Sequence, residues 1–156
     1  MTQSALELIQ RTVDPPHGRA WHGGPTLRGV SAADARRIPG PKRHSIWALA
    51  LHIAYWKYAV RRRLEGGEGA RFPRRPANWP AVPPRADEAA WKADRALLEA
   101  EHRRLIETIA KFPPAKLNRR PPRGRKWTYA ELVIGVLVHD AYHAGQIQLL
   151  KRLLQR

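Results

Sequence analysis

Cysteine is absent from this 156-residue chain, which removes disulfides, thiolate zinc sites and a nucleophilic cysteine together. Any metal must then be held by nitrogen and oxygen ligands. Acidic residues are scarce: 13 Asp and Glu stand against 29 Lys and Arg, a formal net charge of +16 that makes anionic partners the first thought. No stretch of about 20 apolar residues occurs, and the amino terminus lacks a basic segment followed by an apolar run. The chain therefore reads as cytoplasmic, with no membrane partner. No segment of useful length alternates as a strand would, which leaves an all-α pattern. The length suits a single domain over residues 1–156, and the six Trp with 43% hydrophobic content argue against disorder.

Four segments carry helical periodicity. The first is expected over Ser4 to Val13, where Ser4 and Glu7 form a capping box and Asp14-Pro15-Pro16 is the stop. The Gly- and Pro-rich stretch that follows is long for a connector, with one helical turn expected at Ser31 to Arg37. The second helix is expected over Ser45 to Glu65, with Leu49, His52, Trp56, Ala59 and Val60 on one stripe and Gly66-Gly67 past its end. The third runs from Asp87, a good N-cap, to Lys111, with Trp91, Leu98, Leu105, Ile109 and Phe112 on its apolar face. The last starts at Thr128, paired with Glu131 in a second capping box, and carries Leu132, Val136, His139, His143, Ile147, Leu150 and Leu154. A long link between the second and third helices can cross a whole helix, so a four-helix bundle with crossed connectivity, not simple up-down-up-down, is expected.

The positive charge is unevenly spread. Residues 61–86 carry +5 and residues 113–126 carry +6, eleven of the sixteen net charges, so the basic residues belong to a rim of connectors. Arg61 to Arg63 and the run from Arg119 to Lys126 could bind phosphate. No helix presents a basic face to a groove, a pattern that argues against a nucleic-acid partner.

His139 and His143 lie one helical turn apart, the spacing that gives one metal ion two ligands from a rigid element. Alone, such a pair is common by chance. Two unpaired imidazoles in an apolar seam would carry an uncompensated desolvation cost, however, and a metal would satisfy both. His52, on the inward stripe of another helix, supplies a third nitrogen, and three nitrogens leave positions for water or substrate, as in catalytic sites. Gln146, one turn beyond His143, is read as a bundle contact or as a group at the metal. Asp140 is expected to face solvent or a loop arginine, about 100° around the helix from its neighbour. His44 suits a cap or the surface, His102 a structural role, and Glu65 and Glu101 exposed faces. Trp21, Trp79 and Trp127 are expected to pin connectors onto the bundle.

The blocks HSIWALALHIAYW (44–56) and HDAYHAGQI (139–147), with AWHGGP (20–25) before them and NWP (78–80) between, resemble the signatures of the DinB-like (DinB/YfiT-like) superfamily of metalloenzymes. The resemblance covers nearly the whole chain. It implies a four-helix bundle with crossed connectivity, commonly a homodimer, that binds a divalent metal ion such as nickel or zinc through three histidines, here His52, His139 and His143. Characterised members are thiol-dependent transferases and isomerases. The function this implies is a metal-dependent enzyme acting on a small-molecule substrate, with a low-molecular-weight thiol as co-substrate. The alternatives are a hydrolase, a non-enzymatic metal-binding or stress-associated protein and, last, a nucleic-acid binder.

Overall fold

The computed structural model describes residues 5–13, 26–67, 71–122 and 126–154. Among these residues the chain forms five α-helices and no strand. They are α1 (Ala5–Val13), α2 (Ala32–Arg36), α3 (Ile46–Leu64), α4 (Glu88–Ala110) and α5 (Tyr129–Leu154), with a 3-10 turn at Pro114–Lys116. The capping residue Ser4, the stop at Asp14 to Pro16, the block from Ala20 to Pro25 with Trp21, and Arg123 to Arg125 lie outside the described residues.

The helix starts follow from local chemistry. Ser31, Ser45 and Asp87 each keep an extended backbone and accept a hydrogen bond from the amide three residues on, satisfying one of the orphan donors of the first turn. Thr128 and Glu131 close a reciprocal box. The Glu131 amide donates to Thr128 Oγ1 at 3.2 Å, and the Thr128 amide donates to Glu131 Oε2 at 2.6 Å. At the other end of α3, Gly66 and Gly67 adopt φ +88° and +89°, the left-handed region that lets the chain leave a helix without a Cβ clash.

α3 and α4 run in the same direction: Trp47 bonds Asp94 near their amino-terminal halves, and Glu65 meets Thr108 near their carboxyl ends. α5 runs against both. The core consequently has two apolar halves. One gathers Trp47, Leu51, Ile53, Trp91, Leu98 and Ile147; the other gathers Val60, Leu105, Ile109, Val133 and Val136. Between them lies a polar layer, because on each long helix the most buried stripe passes through ionisable residues: Lys57 on α3, Glu101 and His102 on α4, Asp140 and His143 on α5.

This layer corrects two sequence expectations. Asp140 does not face solvent or a loop arginine; it is 2% exposed and bonded to Lys57 Nζ, itself fully buried and 3.1 Å from His102 Nδ1. The buried stripe of α5 runs through Val133, Val136, Asp140, His143 and Ile147, with Val133 and Asp140 where the expected stripe has Leu132 and His139, and the cation of α3 makes that rotation tolerable. Glu101 is likewise no exposed carboxylate. It is 2% exposed and accepts from Arg61 Nε at 3.1 Å and Arg104 Nη1 at 2.8 Å. Glu65 does lie on the surface. No helix among the described residues is long and apolar enough to cross a membrane.

Candidate metal centre

α3 and α5 face each other where the polar layer reaches the edge of the bundle. His52 comes from the middle of α3, His139 and His143 from successive turns of α5. Their Nε2 atoms converge. His139 Nε2 stands 2.9 Å from His52 Nε2 and 3.1 Å from His143 Nε2, and one ligating nitrogen from each ring lies within 4.8 Å of the others. Three nitrogens bound to one zinc-sized ion at about 2.0–2.1 Å are spaced by a little over 3 Å in tetrahedral geometry. The rings are thus close to coordinating positions.

Outer hydrogen bonds fix which ring nitrogen is available. A carbonyl oxygen can only accept, so His52 Nδ1 carries the proton it donates to the Asn78 carbonyl at 2.5 Å, and His52 Nε2 is left with a lone pair. His143 Nδ1 likewise donates to Gln146 Oε1 at 2.6 Å, while the Gln146 amide nitrogen donates to Tyr142 Oη at 3.2 Å. Two lone pairs therefore point at one centre. His139 can offer a proton from Nε2 to one of them and not to both. His139 Nδ1 is buried with no hydrogen-bond partner among the described residues. A cation at the centre accepts all three nitrogens. The donor set fits a divalent metal ion of borderline softness, and the outer bonds match the way proteins orient metal-ligating histidines.

The connector before α4 closes one side of the site. Asn78, at φ 69° in a left-handed conformation that asparagine tolerates, presents its carbonyl to His52 and its side-chain oxygen to Trp56 Nε1 at 2.9 Å. Next to it, Trp79 stacks flat on His52 with centroids 3.7 Å apart and flat on His44 at 3.6 Å. Trp79 thus pins the loop, as expected, and does so on a candidate ligand. His44 is an exposed residue at the rim; the helix cap is its neighbour Ser45. His102 is a buried structural histidine, and Gln146 is a positioning residue for His143, not a group in the centre itself. Trp127 does not pack down; it is 51% exposed.

Burial keeps the three rings neutral. Desolvation, with repulsion from neighbouring rings, lowers His52 from 6.5 to about 4 and His139 to about 3, and desolvation lowers His143 as well. The sign for stability follows: an unfolded chain takes up these protons as pH falls through 6.5, while the folded chain refuses them until about pH 4. Metal-free protein is expected to lose stability progressively as pH drops from 6.5 toward 4. Urea midpoints at pH 7.5 and pH 5 check this, and equal midpoints would contradict the burial of the rings.

A family model described as the DinB superfamily matches residues 25–147 of the chain. No curated protein and no solved structure matches it.

Proposed function

Since this chain belongs to the DinB superfamily, we propose that it is a metal-dependent enzyme in which His52, His139 and His143 hold one divalent ion, nickel or zinc. The observation that carries this reading is the pair of outer hydrogen bonds, to the Asn78 carbonyl and to Gln146, that turn two lone pairs onto the point His139 also faces. Three protein nitrogens leave coordination positions open, the arrangement of a catalytic rather than a closed structural site. When bound, the ion supplies a Lewis acid that lowers the pKa of a thiol or water beside it. The chain has no cysteine of its own, so a thiol must come from solution. We infer transfer of a low-molecular-weight thiol to a small electrophilic substrate. Metal-loaded protein mixed with small thiols and electrophilic acceptors should consume thiol at a rate that is lost in the His139→Ala variant. Turnover of activated esters without any thiol would assign a hydrolase instead, and no turnover at full metal content would favour a metal-binding protein without catalysis.

The same reading includes a homodimer, supported by the outer face of α5. Ile134, Val138, Tyr142, Leu149 and Leu153 are each 49–64% exposed and recur at helical spacing on the side away from the core. A two-fold pairing of this stripe would bury it in a self-complementary contact. Sedimentation at micromolar concentration is expected to give about 36 kDa, twice the chain mass. Val138→Glu should return the species to 17.8 kDa with its metal content unchanged. A wild-type monomer at that concentration would contradict the assignment.

A further inference from the structure

A cavity of about 380 Å³ opens between α3 and α5, beside the histidine cluster. Trp56 and Val60 form one wall, Leu132 and Val136 the other, so its body is apolar. His139 lies at one end. At the other stand Trp127, Arg63, Lys126 and Glu131. From residue 139 back to residue 131 is about 12 Å along a helix, which sets the length of the slot.

Two cations, Arg63 and Lys126, against one carboxylate, Glu131, leave the charged end with a net positive charge. Glu131 uses its carboxylate to bond the Thr128 amide and hydroxyl at 2.6 and 2.9 Å. Lys126 Nζ lies over the Trp127 ring, 5.1 Å from its centroid. Arg63 differs from its neighbours in sequence. Arg61 is engaged by Glu65 and Glu101 and Arg62 by the Gly67 carbonyl, whereas Arg63 makes no hydrogen bond or ion pair with any described residue, although it is half-buried. A guanidinium beside apolar walls with five unmatched donors is a receptor for a planar anion.

Gly135 lies in the wall of the same slot. In the interior of α5 a glycine costs about 1 kcal/mol relative to alanine. It is not explained by close helix packing, since a Cβ built there meets no heavy atom within 4 Å. What its missing side chain leaves is room in the cavity wall.

We propose that this slot binds a small organic acid with an aromatic or branched apolar body about 12 Å long or shorter, its carboxylate on Arg63 with help from Lys126, its other end presented to the histidines. The inference rests on the metal reading only for that last clause; recognition of the acid is a property of the slot. The probes are 4-phenylbutyrate and its neutral amide, followed by tryptophan fluorescence and calorimetry on protein as purified and after exhaustive dialysis against a chelator.

The acid is expected to bind at least about tenfold more tightly than the amide in both preparations. Arg63→Gln should remove that preference and leave the amide affinity unchanged, with Arg63→Lys recovering part of it. Gly135→Leu, whose circular dichroism should match wild type because the added atoms enter open space, should weaken both probes by about tenfold or more without changing metal content. Equal affinities for acid and amide, a preference that survives Arg63→Gln, or unchanged binding in Gly135→Leu would each overturn the proposal. A preference that vanishes with the metal and ignores Arg63 would place the carboxylate on the ion and also overturn it. A protein that binds no metal yet shows the Arg63-dependent preference would keep this inference and refute the metal centre.

Discussion

Replacing His139 with alanine is expected to reduce metal content from about one ion per chain to near zero, the largest effect of any single change at the histidine cluster. His139 is the shared vertex: its Nε2 is the atom in contact with both His52 Nε2 and His143 Nε2. Without it, two nitrogens remain on different helices, and neither helix retains a pair one turn apart. Elemental analysis after dialysis reads the outcome directly. Gln146→Leu should act through His143, freeing its tautomer and weakening the metal by about 10–100-fold while leaving all three ligands in place. His102→Gln, in the buried layer and outside the cluster, should retain the ion. Stoichiometric metal in a variant lacking both His139 and His143 would refute the assignment outright.

Lys57→Met is expected to cost about 3–5 kcal/mol of folding stability, the value for removing one partner of a buried charged pair. Lys57 is fully buried and bonded to Asp140 Oδ2, while Asp140 Oδ1 has no hydrogen-bond partner among the described residues. Burial pushes the Asp140 carboxyl up from its ordinary range against the opposing pull of Lys57. Removing the lysine therefore leaves a carboxyl with nothing to offset its desolvation. For a chain of this length such a loss corresponds to a fall in Tm of about 10 °C. The double variant Lys57→Met, Asp140→Leu should recover most of it, because matched apolar groups carry no desolvation cost. Urea unfolding of the two single variants and the double variant measures the coupling. A double variant no more stable than Lys57→Met alone would show that the layer is held by something other than this pair.

What the sequence determined by itself is what depends on neighbours along the chain. Ser45, Asp87 and the Thr128–Glu131 box set helix starts, Gly66 and Gly67 set an end, and a turn of helix forms where Ser31 announced one, because capping and φ preference act within four residues. The His139–His143 pair is legible for the same reason, and His52 because an imidazole in an apolar stripe needs a partner. Hydropathy patterns treat a charged residue as a mark of the outside, so they place Asp140 and Glu101 on the surface and give no signal at Lys57. Only the tertiary structure could bury them, because a compensating cation comes from another helix: Lys57 lies 83 residues from Asp140, and Arg61 lies 40 from Glu101, whose other partner Arg104 is three residues along its own helix. The outer bonds that orient the rings divide along the same line. Gln146 lies three residues from His143, so its nearness to the site is legible in the spacing, but its hydrogen bond depends on rotamers that spacing does not give. The Asn78 carbonyl reaches His52 across 26 residues of chain through a left-handed turn, and a backbone oxygen carries no signature in sequence at all. The slot between α3 and α5 is likewise a product of packing, since a cavity is the space that two helices leave unfilled when their side chains meet elsewhere.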